Sequence, residues 1–327
     1  KKIGSQTAAL ANPPTLAAWA NVAGKKEGEG PLADTFDYID GDDTFGESTW
    51  EKSESAMQKQ ALGLALNKAG QAAKALDWLF AGDLLNQCIG SSFAARGQEV
   101  PFFGLYGACS TMGEGLALAS MTLDGGFGEW AGVVVSSHFC TAERQYRTPL
   151  EYGGQRTPTS QWTATAAGAA VLAREGPGPY ITHVTVGKIV DKGVTDTNNM
   201  GAAMAPAAAD TIISHFNDTG RSPSSYDMIF TGALGTLGSE LLIELLRKNG
   251  IQMKNHGDCG AMLFDIKNQD VHCGGSGCGC CASVLTGYIL NHLKAKTWKN
   301  ILFCPTGALH SPTSAFQGES IPGICHA

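Results

Sequence analysis

The alternation of apolar runs and mixed segments along the chain predicts strands and helices in turn. Short apolar runs bounded by glycine, proline or aspartate predict buried strands, whereas longer segments rich in Ala, Leu, Gln and Lys predict helices. The clearest helix spans 48–69, where Ser48 and Glu51 form a capping-box pattern and Gly70 supplies a stop. The other elements predicted in the first half are a helix at 111–123 and the strands DWLFAGD at 77–83, VPFFGLYG at 100–107 and AGVVVSS at 131–137.

The second half repeats this order of elements. Ser239 is placed to cap a helix over 240–249, and the glycine-rich segment GGSGCGCC at 274–281 leads into another helix at 282–295. In both halves small residues precede a helix that is followed by an apolar strand, which indicates an internal duplication. The strands predicted here are YDMIFTG at 226–232, AMLFDI at 261–266 and NILFCPTGALH at 300–310.

Alternating helices and apolar strands indicate an α/β fold whose mostly parallel sheets are covered on both faces. Glycine and alanine are frequent in the helices at 111–123 and 282–295, as expected of helices packed tightly between two sheets. The sequence therefore predicts a duplicated five-layer αβαβα sandwich. The Gly-Pro-Gly segment at 176–178 marks the predicted boundary between an N-terminal half, residues 1–178, and a C-terminal half, residues 179–327.

Composition narrows the classes of function. The chain has 327 residues and a net charge of -7, with no long run of Lys or Arg, so nucleic-acid binding is not expected. Its longest apolar stretches reach only about half of the roughly 20 residues that a membrane-spanning helix needs. The first residues lack an apolar signal core, which is typical of a protein that is not exported. The ten cysteines are too dilute for a disulfide scaffold and are expected to be reduced.

Two clusters raise the question of a metal site. Zinc sites usually join paired cysteines from two places, whereas this chain has four cysteines on one glycine-rich turn and the helix after it. Small buried residues at a tight helix–sheet contact are therefore the preferred interpretation of Cys273, Cys278, Cys280 and Cys281. The acidic loop around Asp40 lacks the downstream glutamate of an EF-hand calcium loop. No metal and no cofactor is predicted.

The segment YGACSTMGEG, residues 106–115, places Cys109 at the predicted start of a buried helix. The unpaired N–H groups and positive dipole of a helix N-terminus lower the pKa of a thiol, and the resulting thiolate can attack a thioester. Three roles are open for Cys109: a residue of a ligand pocket, a residual nucleophile, or a packing residue. His138 and His310 follow equivalent strands, so the duplication predicts that both approach one pocket, as acid–base groups or as simple polar residues.

Several stretches resemble a known superfamily. GACST at 107–111, the strand-like TATAAGAAVLA at 163–173 and the duplication resemble the thiolase-like condensing enzymes, including ketoacyl-carrier-protein synthase III. Within this superfamily, seven stretches in order resemble the stage V sporulation protein AD family: AGDLLNQ at 81–87, GACST at 107–111, TAERQYR at 141–147, EYGGQ at 151–155, MGAAMAPAAADTI at 200–212, GGSGCGC at 274–280 and TGALHSPT at 306–313.

The resemblance implies a thiolase-like fold, but the sequence departs from the enzymes that share it. Residues 231–234 lack the His-led motif of synthase III relatives, residues 276–278 lack their Asn motif, and residues 305–308 lack the cysteine motif of degradative thiolases. A condensing enzyme needs such a partner for its cysteine. A non-enzymatic binding protein is therefore expected, with an acyl-thioester condensing or hydrolytic enzyme that uses Cys109 as the alternative, and a purely structural scaffold as a third possibility.

The same resemblance implies a ligand. Members of this family are associated with binding dipicolinic acid, often as the calcium complex, and with its movement into the developing spore. Paired N–H donors of arginine suit a planar dicarboxylate, whereas ordinary salt bridges are the alternative role for the arginines of 138–156. The expected ligand-binding residues are Cys109, Ser110, His138, Glu143, Arg144, Arg147, Tyr152, Arg156, Ser276 and His310.

The resemblance also implies how the protein is placed in the cell. It implies a homodimer in the forespore or spore. It further implies peripheral association with the inner spore membrane and contact with other stage V sporulation A membrane proteins.

Overall fold

The computed structural model describes residues 1–146 and 156–327. The strands in these ranges are β1 (Thr7–Ala9), β2 (Thr15–Ala23), β3 (Tyr38–Ile39), β4 (Trp78–Gly82), β5 (Phe102–Leu105), β6 (Trp130–Ser137), β7 (Trp162–Thr163), β8 (Ala166–Ala173), β9 (His183–Thr185), β10 (Met228–Gly232), β11 (His256–Asp258), β12 (Gly275–Ser276), β13 (Ile301–Ala308) and β14 (Gly323–Cys325). The α-helices are α1 (Lys25–Gly28), α2 (Trp50–Ala69), α3 (Ile89–Ala95), α4 (Thr111–Asp124), α5 (Phe139–Tyr146), α6 (Met200–Thr219), α7 (Gly235–Lys248), α8 (Cys259–Leu263), α9 (Cys278–Val284), α10 (Leu290–Lys294) and α11 (Pro312–Phe316). A π-helical segment, Leu285–Ile289, joins α9 to α10, and 3₁₀ turns occupy Ala33–Thr35, Ala73–Ala75, Asn86–Cys88, Ala108–Ser110 and Pro223–Ser225.

Helix α2 covers one face of the first sheet. Thr49 caps it by accepting a hydrogen bond from the Lys52 N–H (3.4 Å), and Gly70 ends it in the left-handed conformation at φ 66°. The predicted cap Ser48 is wrong by one residue, since Thr49 is the capping side chain, and the helix begins at Trp50, two residues after the predicted start. The buried stripe of α2, which includes Met57 and Ala61, packs on β2, β6 and β8.

The first sheet has six strands in the order β3-β2-β8-β6-β4-β5. Strands β4, β5 and β6 run parallel, whereas β8 is antiparallel to both of its neighbours. Ser137 at the end of β6 lies opposite Ala166 at the start of β8. The chain between them thus returns to the end of the sheet that it left. The other five strands share one direction, so the sheet is mostly parallel, as predicted, with β8 as its one reversed strand.

The second sheet has four strands in the order β11-β10-β13-β14, of which the first three are parallel. Strand β10 has β11 and β13 as its parallel neighbours, as β4 has β5 and β6. Helices α2 and α6 each have 20 residues and each precede a 3₁₀ turn and a central strand. This repeated connectivity agrees with the predicted duplication. The boundary at residue 178 stays a prediction, and β1 pairs with β9 across it.

Five layers follow from the packing of helices on these sheets. Helix α2 lies outside the first sheet, α4 and α9 lie between the sheets, and α6 with α7 lies outside the second. The central layer is thin because small residues meet there: a Cβ added to Gly168 of β8 would lie 2.4 Å from the carbonyl oxygen of Ala282 in α9. The predicted five-layer αβαβα sandwich is confirmed.

Two local predictions in the second half are wrong. Helix α7 begins at Gly235, so Ser239 lies inside the helix and does not cap it. The segment 261–266 does not form a strand. Instead, the Asp258 carboxylate accepts hydrogen bonds from the Ala261 N–H (3.1 Å) and the Gly235 N–H (2.9 Å), which ends β11 and starts α8.

Candidate functional site: a cavity at Cys109

Cys109 lies in a tight turn between β5 and α4. Ala108, immediately before it, has a φ of 48°, which is unusual for a residue with a side chain. The Thr111 hydroxyl closes the turn by donating to the Ala108 carbonyl (2.6 Å) and accepting from the Gly107 N–H (3.0 Å). Gly307 of β13 packs directly against it, since a Cβ at this position would lie 2.3 Å from the Gly107 oxygen and 2.9 Å from the Cys109 nitrogen.

The C-terminal half supplies the polar neighbours of the thiol. The Gly277 N–H donates to Cys109 Sγ at 3.2 Å, and the Ser276 hydroxyl lies 3.8 Å from the same sulfur. Gly277 has a φ of 91°, which suits glycine and aims its N–H at the thiol. The starts of the two central helices therefore face each other at Cys109.

Burial determines the ionisation of this cysteine. Desolvation raises the pKa of the Cys109 thiol above its ordinary value of 9.0, and the smaller stabilisation of the thiolate by Ser276 and Gly277 does not reverse this. The expectation that the helix N-terminus lowers the pKa of Cys109 is therefore wrong. The thiol is 7% exposed and is the neutral form at pH 7.

A cavity of about 120 Å³ opens beside the thiol. Its volume is far above the roughly 15 Å³ that one water molecule requires. Two buried polar atoms of its lining residues have no hydrogen-bond partner in the described part of the chain, Gln161 Oε1 and His310 Nε2. The lining residues are Leu84, Tyr106, Ala108, Cys109, Ala142, Glu143, Tyr146, Ser160, Gln161, Thr163, Thr197, Asn198, Met200, Met204, Ser276, Ala308 and His310.

Two tyrosines form an aromatic wall of this cavity. The hydroxyls of Tyr106 and Tyr146 are 2.7 Å apart, and Tyr146 also donates to the Leu84 carbonyl (2.6 Å). The His310 ring lies 5.5 Å from the Tyr146 ring. Burial raises the pKa of Tyr106 to about 12 and lowers that of His310, so the tyrosine and histidine side chains are neutral at pH 7.

The structure brings Cys109, Glu143, Ser276 and His310 of the predicted set together at this cavity. Ser110 is adjacent in sequence but is fully buried, and its hydroxyl accepts the His326 N–H at 3.0 Å.

The expected approach of His138 to the same pocket is wrong. Its Nδ1 accepts from the Cys140 N–H (3.1 Å), which leaves the proton on Nε2 to be donated to the Asp43 carbonyl (3.0 Å). Both ring nitrogens are thus occupied within a buried structural contact, and His138 does not line the Cys109 cavity.

Neither described arginine of the predicted set lines this cavity. Arg144 forms an ion pair with Glu51 of α2. Arg156 donates to the Asp270 carbonyl (2.7 Å), and its guanidinium lies 4.7 Å from the centre of the Trp162 ring. For these two residues the alternative of ordinary salt bridges and loop contacts fits the structure. Arg147 and Tyr152 lie outside the described residues.

Sequence reasoning missed several polar lining residues. Tyr106 adjoins the GACST motif and could have been found from that position. Gln161 and Asn198 come from segments that precede β7 and α6, and neither carries a motif. The Gln161 side chain is fixed because its Nε2 donates to the carbonyls of Ala233 (2.9 Å) and Gly275 (2.7 Å). Its Oε1 has no hydrogen-bond partner among the described residues and can accept from a ligand.

The cysteine, histidine and carboxylate side chains of residues 1–146 and 156–327 are dispersed. These residues contain no group of three or more His, Cys, Asp or Glu side chains that could hold a metal ion. Cys278 Sγ instead donates to the Ser136 carbonyl (2.9 Å) in the buried layer. No helix within the same ranges has the length and apolar character that crossing a membrane requires.

Comparison with known proteins places the chain in a family. The model of the family "Stage V sporulation protein AD" matches residues 4–327. The chain belongs to the stage V sporulation protein AD family. It is 41% identical to the stage V sporulation protein AD of Bacillus subtilis (strain 168) over 327 residues, which cover 100% of this chain and 96% of the relative. The family assignment makes it a sporulation protein.

Solved structures similar to this family member are thiolase-like condensing enzymes. The 3-oxoacyl-[acyl-carrier-protein] synthase III of Aquifex aeolicus matches with a TM-score of 0.58 at 13% identity, covering 96% of this chain and 99% of that one. Cerulenin-bound OleA of Xanthomonas campestris matches with a TM-score of 0.59 at 14% identity, covering 96% and 98%. At these identities the similarity establishes the thiolase-like fold, which confirms the predicted fold class.

Proposed function

We propose that this sporulation protein is a non-enzymatic member of the thiolase-like fold that binds dipicolinic acid, free or as its calcium complex, in the Cys109 cavity for uptake into the developing spore. One observation carries the non-enzymatic part. The hydrogen-bond partners of Cys109 Sγ among the described residues are the Ser276 hydroxyl and the Gly277 N–H, neither of which is a base. Without a base, a buried neutral thiol is a poor nucleophile.

The lining of the cavity supports a small polar aromatic ligand. The aromatic wall of Tyr106 and Tyr146 suits a flat ring, and the Ser276 hydroxyl can donate to a carboxylate oxygen. Two buried polar atoms without partners favour the calcium complex: His310 Nε2 can donate to a carboxylate oxygen, and Gln161 Oε1, which only accepts, can act as a ligand of calcium. Calcium would add to this because it takes carboxylate oxygens as ligands, and Glu143 supplies one carboxylate at the lining.

Calorimetric titration with dipicolinate, with and without calcium, tests this proposal. We expect saturable binding that Cys109→Phe abolishes, because the larger side chain fills the cavity, and that Ser276→Ala weakens. Cys273→Ala is the matched control, since Cys273 lies outside the cavity lining and its thiol donates to the Pro158 carbonyl. The absence of saturable binding to the wild-type protein under both conditions would contradict the proposal.

An acyl-thioester enzyme is the second candidate, favoured by the condensing-enzyme fold and by the presence of His310 at the same cavity as Cys109. Incubation with an acyl-CoA followed by intact-mass spectrometry separates the two candidates. Acylation that is lost in Cys109→Ala supports the enzyme, and an unchanged mass supports the binding protein.

The proposal includes a homodimer that associates peripherally with the inner spore membrane through other stage V sporulation A proteins. Strand β5 supports the dimer because it forms an open edge of the first sheet, with Phe103 50% exposed. Such an edge is a template for pairing with another strand. Light scattering should give the mass of a dimer for the wild type and of a monomer for Phe103→Lys, and a monomeric wild type would contradict this part. Fractionation of spores lacking the membrane partners tests the membrane association.

A further inference from the structure

A second cavity, of about 140 Å³, shares no lining residue with the Cys109 cavity. It lies further along α4: Ala117 follows Cys109 by eight residues, which corresponds to about 12 Å along a helix axis. The aliphatic part of its wall comes mainly from α4, from the helix that contains the π-helical segment, and from β13. The principal wall residues are Leu116, Ala117, Leu285, Leu290, Leu293 and Leu302.

The π-helical segment contributes to the shape of this cavity. Leu285 begins the segment and Leu290 follows its end, so both side chains at the cavity flank the wider turn. Segments of this kind inside α-helices are rare and occur frequently at functional sites. The cavity also has a polar end, opposite in character to this aliphatic wall.

Four polar residues gather at that end: His183, His215, Arg221 and Tyr226. The Tyr226 hydroxyl lies 2.5 Å from His215 Nε2 and accepts from Arg221 Nη1 at 3.2 Å. His215 is held on its other side by Thr185, whose hydroxyl lies 2.7 Å from Nδ1. The buried members of this group are thus rigidly placed.

Arg221 is the charged group of the cluster. Burial lowers the pKa of His183 and lowers that of His215 to about 4, so both imidazoles are neutral at pH 7. The Arg221 side chain is exposed at the cavity, and no carboxylate of residues 1–146 or 156–327 lies within ion-pair distance of its guanidinium. An aliphatic cavity therefore ends at a cation without a resident anion.

We propose that this cavity binds an amphiphile that carries one anionic head group on an aliphatic chain. The chain lies among the leucine side chains, where removal of apolar surface from water favours binding. The head group accepts paired hydrogen bonds from the Arg221 guanidinium, which is planar and suited to carboxylates and phosphates. A free fatty acid and an anionic membrane lipid share this chemistry, so the test distinguishes them.

Calorimetric titration of the full chain with octanoate tests the proposal, with butyrate and octan-1-ol as probes that lack the long chain or the charge. We expect octanoate to bind more tightly than both. Arg221→Gln should weaken octanoate binding about 10-fold or more, because hydrogen bonds to charged groups are the strong ones. Arg247→Gln is the matched control, since Arg247 is also exposed but lies on α7 and pairs with Glu244. Octanoate binding that is absent, or unaffected by Arg221→Gln, would overturn the proposal.

Two further measurements identify the source of the amphiphile and its site. Ala117→Phe should abolish octanoate binding by filling the cavity, and a thermal unfolding scan verifies that this variant folds. Sedimentation of the protein with phosphatidylglycerol vesicles, compared with phosphatidylcholine vesicles, tests whether the amphiphile is a membrane lipid. If the protein sediments with phosphatidylglycerol vesicles and octanoate releases it, the occupant is a lipid. If the protein binds octanoate but neither kind of vesicle, the occupant is a free fatty acid. Cys109→Phe should leave octanoate binding unchanged, because Cys109 does not line this second cavity. Failure of the amphiphile proposal can therefore be distinguished from failure of the dipicolinate proposal.

Discussion

Replacing Gly307 by alanine tests how tightly the second sheet packs against the Cys109 turn. The new Cβ would meet the Gly107 oxygen at 2.3 Å, whereas ordinary van der Waals contact begins at 3.4 Å, so the two backbones must separate by 3.4 − 2.3 = 1.1 Å. The obstructing atoms belong to the backbone of a buried turn, which cannot rotate away as a flexible side chain would. Overpacking of this kind costs about 1–3 kcal/mol of the free energy of unfolding, and the upper end is expected here because backbone atoms obstruct the new Cβ.

Urea unfolding monitored by tryptophan fluorescence measures this loss, and Gly63→Ala provides a control of opposite sign. Gly63 lies in α2 with nothing within 4 Å of an added Cβ. Alanine there should raise the free energy of unfolding by about 0.5–1 kcal/mol, because it reduces the backbone entropy of the unfolded chain. If Gly307→Ala changes the free energy of unfolding by less than about 0.5 kcal/mol, the close packing argued for this turn is wrong.

Three other outcomes are expected. Burial raises the pKa of Glu54 to about 8. The stabilisation that protonated Glu54 contributes is therefore complete below its unfolded pKa near 4.5 and is lost as pH rises towards 8. Urea midpoints measured from pH 5 to 8 should fall in the wild type and fall less in Glu54→Gln. At pH 7 the raised pKa leaves less than about 1% of Cys109 as thiolate, so iodoacetamide should alkylate Cys109 more slowly than it alkylates the thiol of free glutathione. A faster rate for Cys109, measured by peptide mass spectrometry, would contradict a neutral buried thiol. Thr49→Ala should cost about 1 kcal/mol of unfolding free energy, whereas Ser48→Ala should be near neutral; equal effects would refute Thr49 as the cap of α2.

The sequence was most informative where local signals and long-range packing agree. The apolar run at 131–137 forms β6, and the Gly/Ala-rich helix at 111–123 forms α4 between the sheets. The strand prediction at 261–266 failed because the Asp258 side chain captures the N–H of Ala261 and begins a helix, which the apolar pattern alone does not reveal. Capping by a side chain depends on one hydrogen bond, and an apolar run of this length suits either element.

The candidate site was less predictable than the fold. Cys109 and Ser276 could be found because each lies in a motif, and the structure brings them to 3.8 Å. His138 was misplaced because equivalence of two strands does not fix which way the following side chain turns, and the Asp43 carbonyl holds it elsewhere. Gln161 could not be found, since its role depends on carbonyls 72 and 114 residues away in the chain.

The contact between Gly277 and Cys109 joins residues 168 positions apart and has a consequence for biosynthesis. A nascent chain cannot complete the Cys109 cavity until Ser276 and the strand β13 behind it have left the ribosome, because these later residues form part of its wall and support. Contacts of such sequence separation form late in folding. Any translation product that stops before residue 276 therefore lacks part of the wall of this cavity, and binding of the proposed ligand would report on the full-length, folded protein.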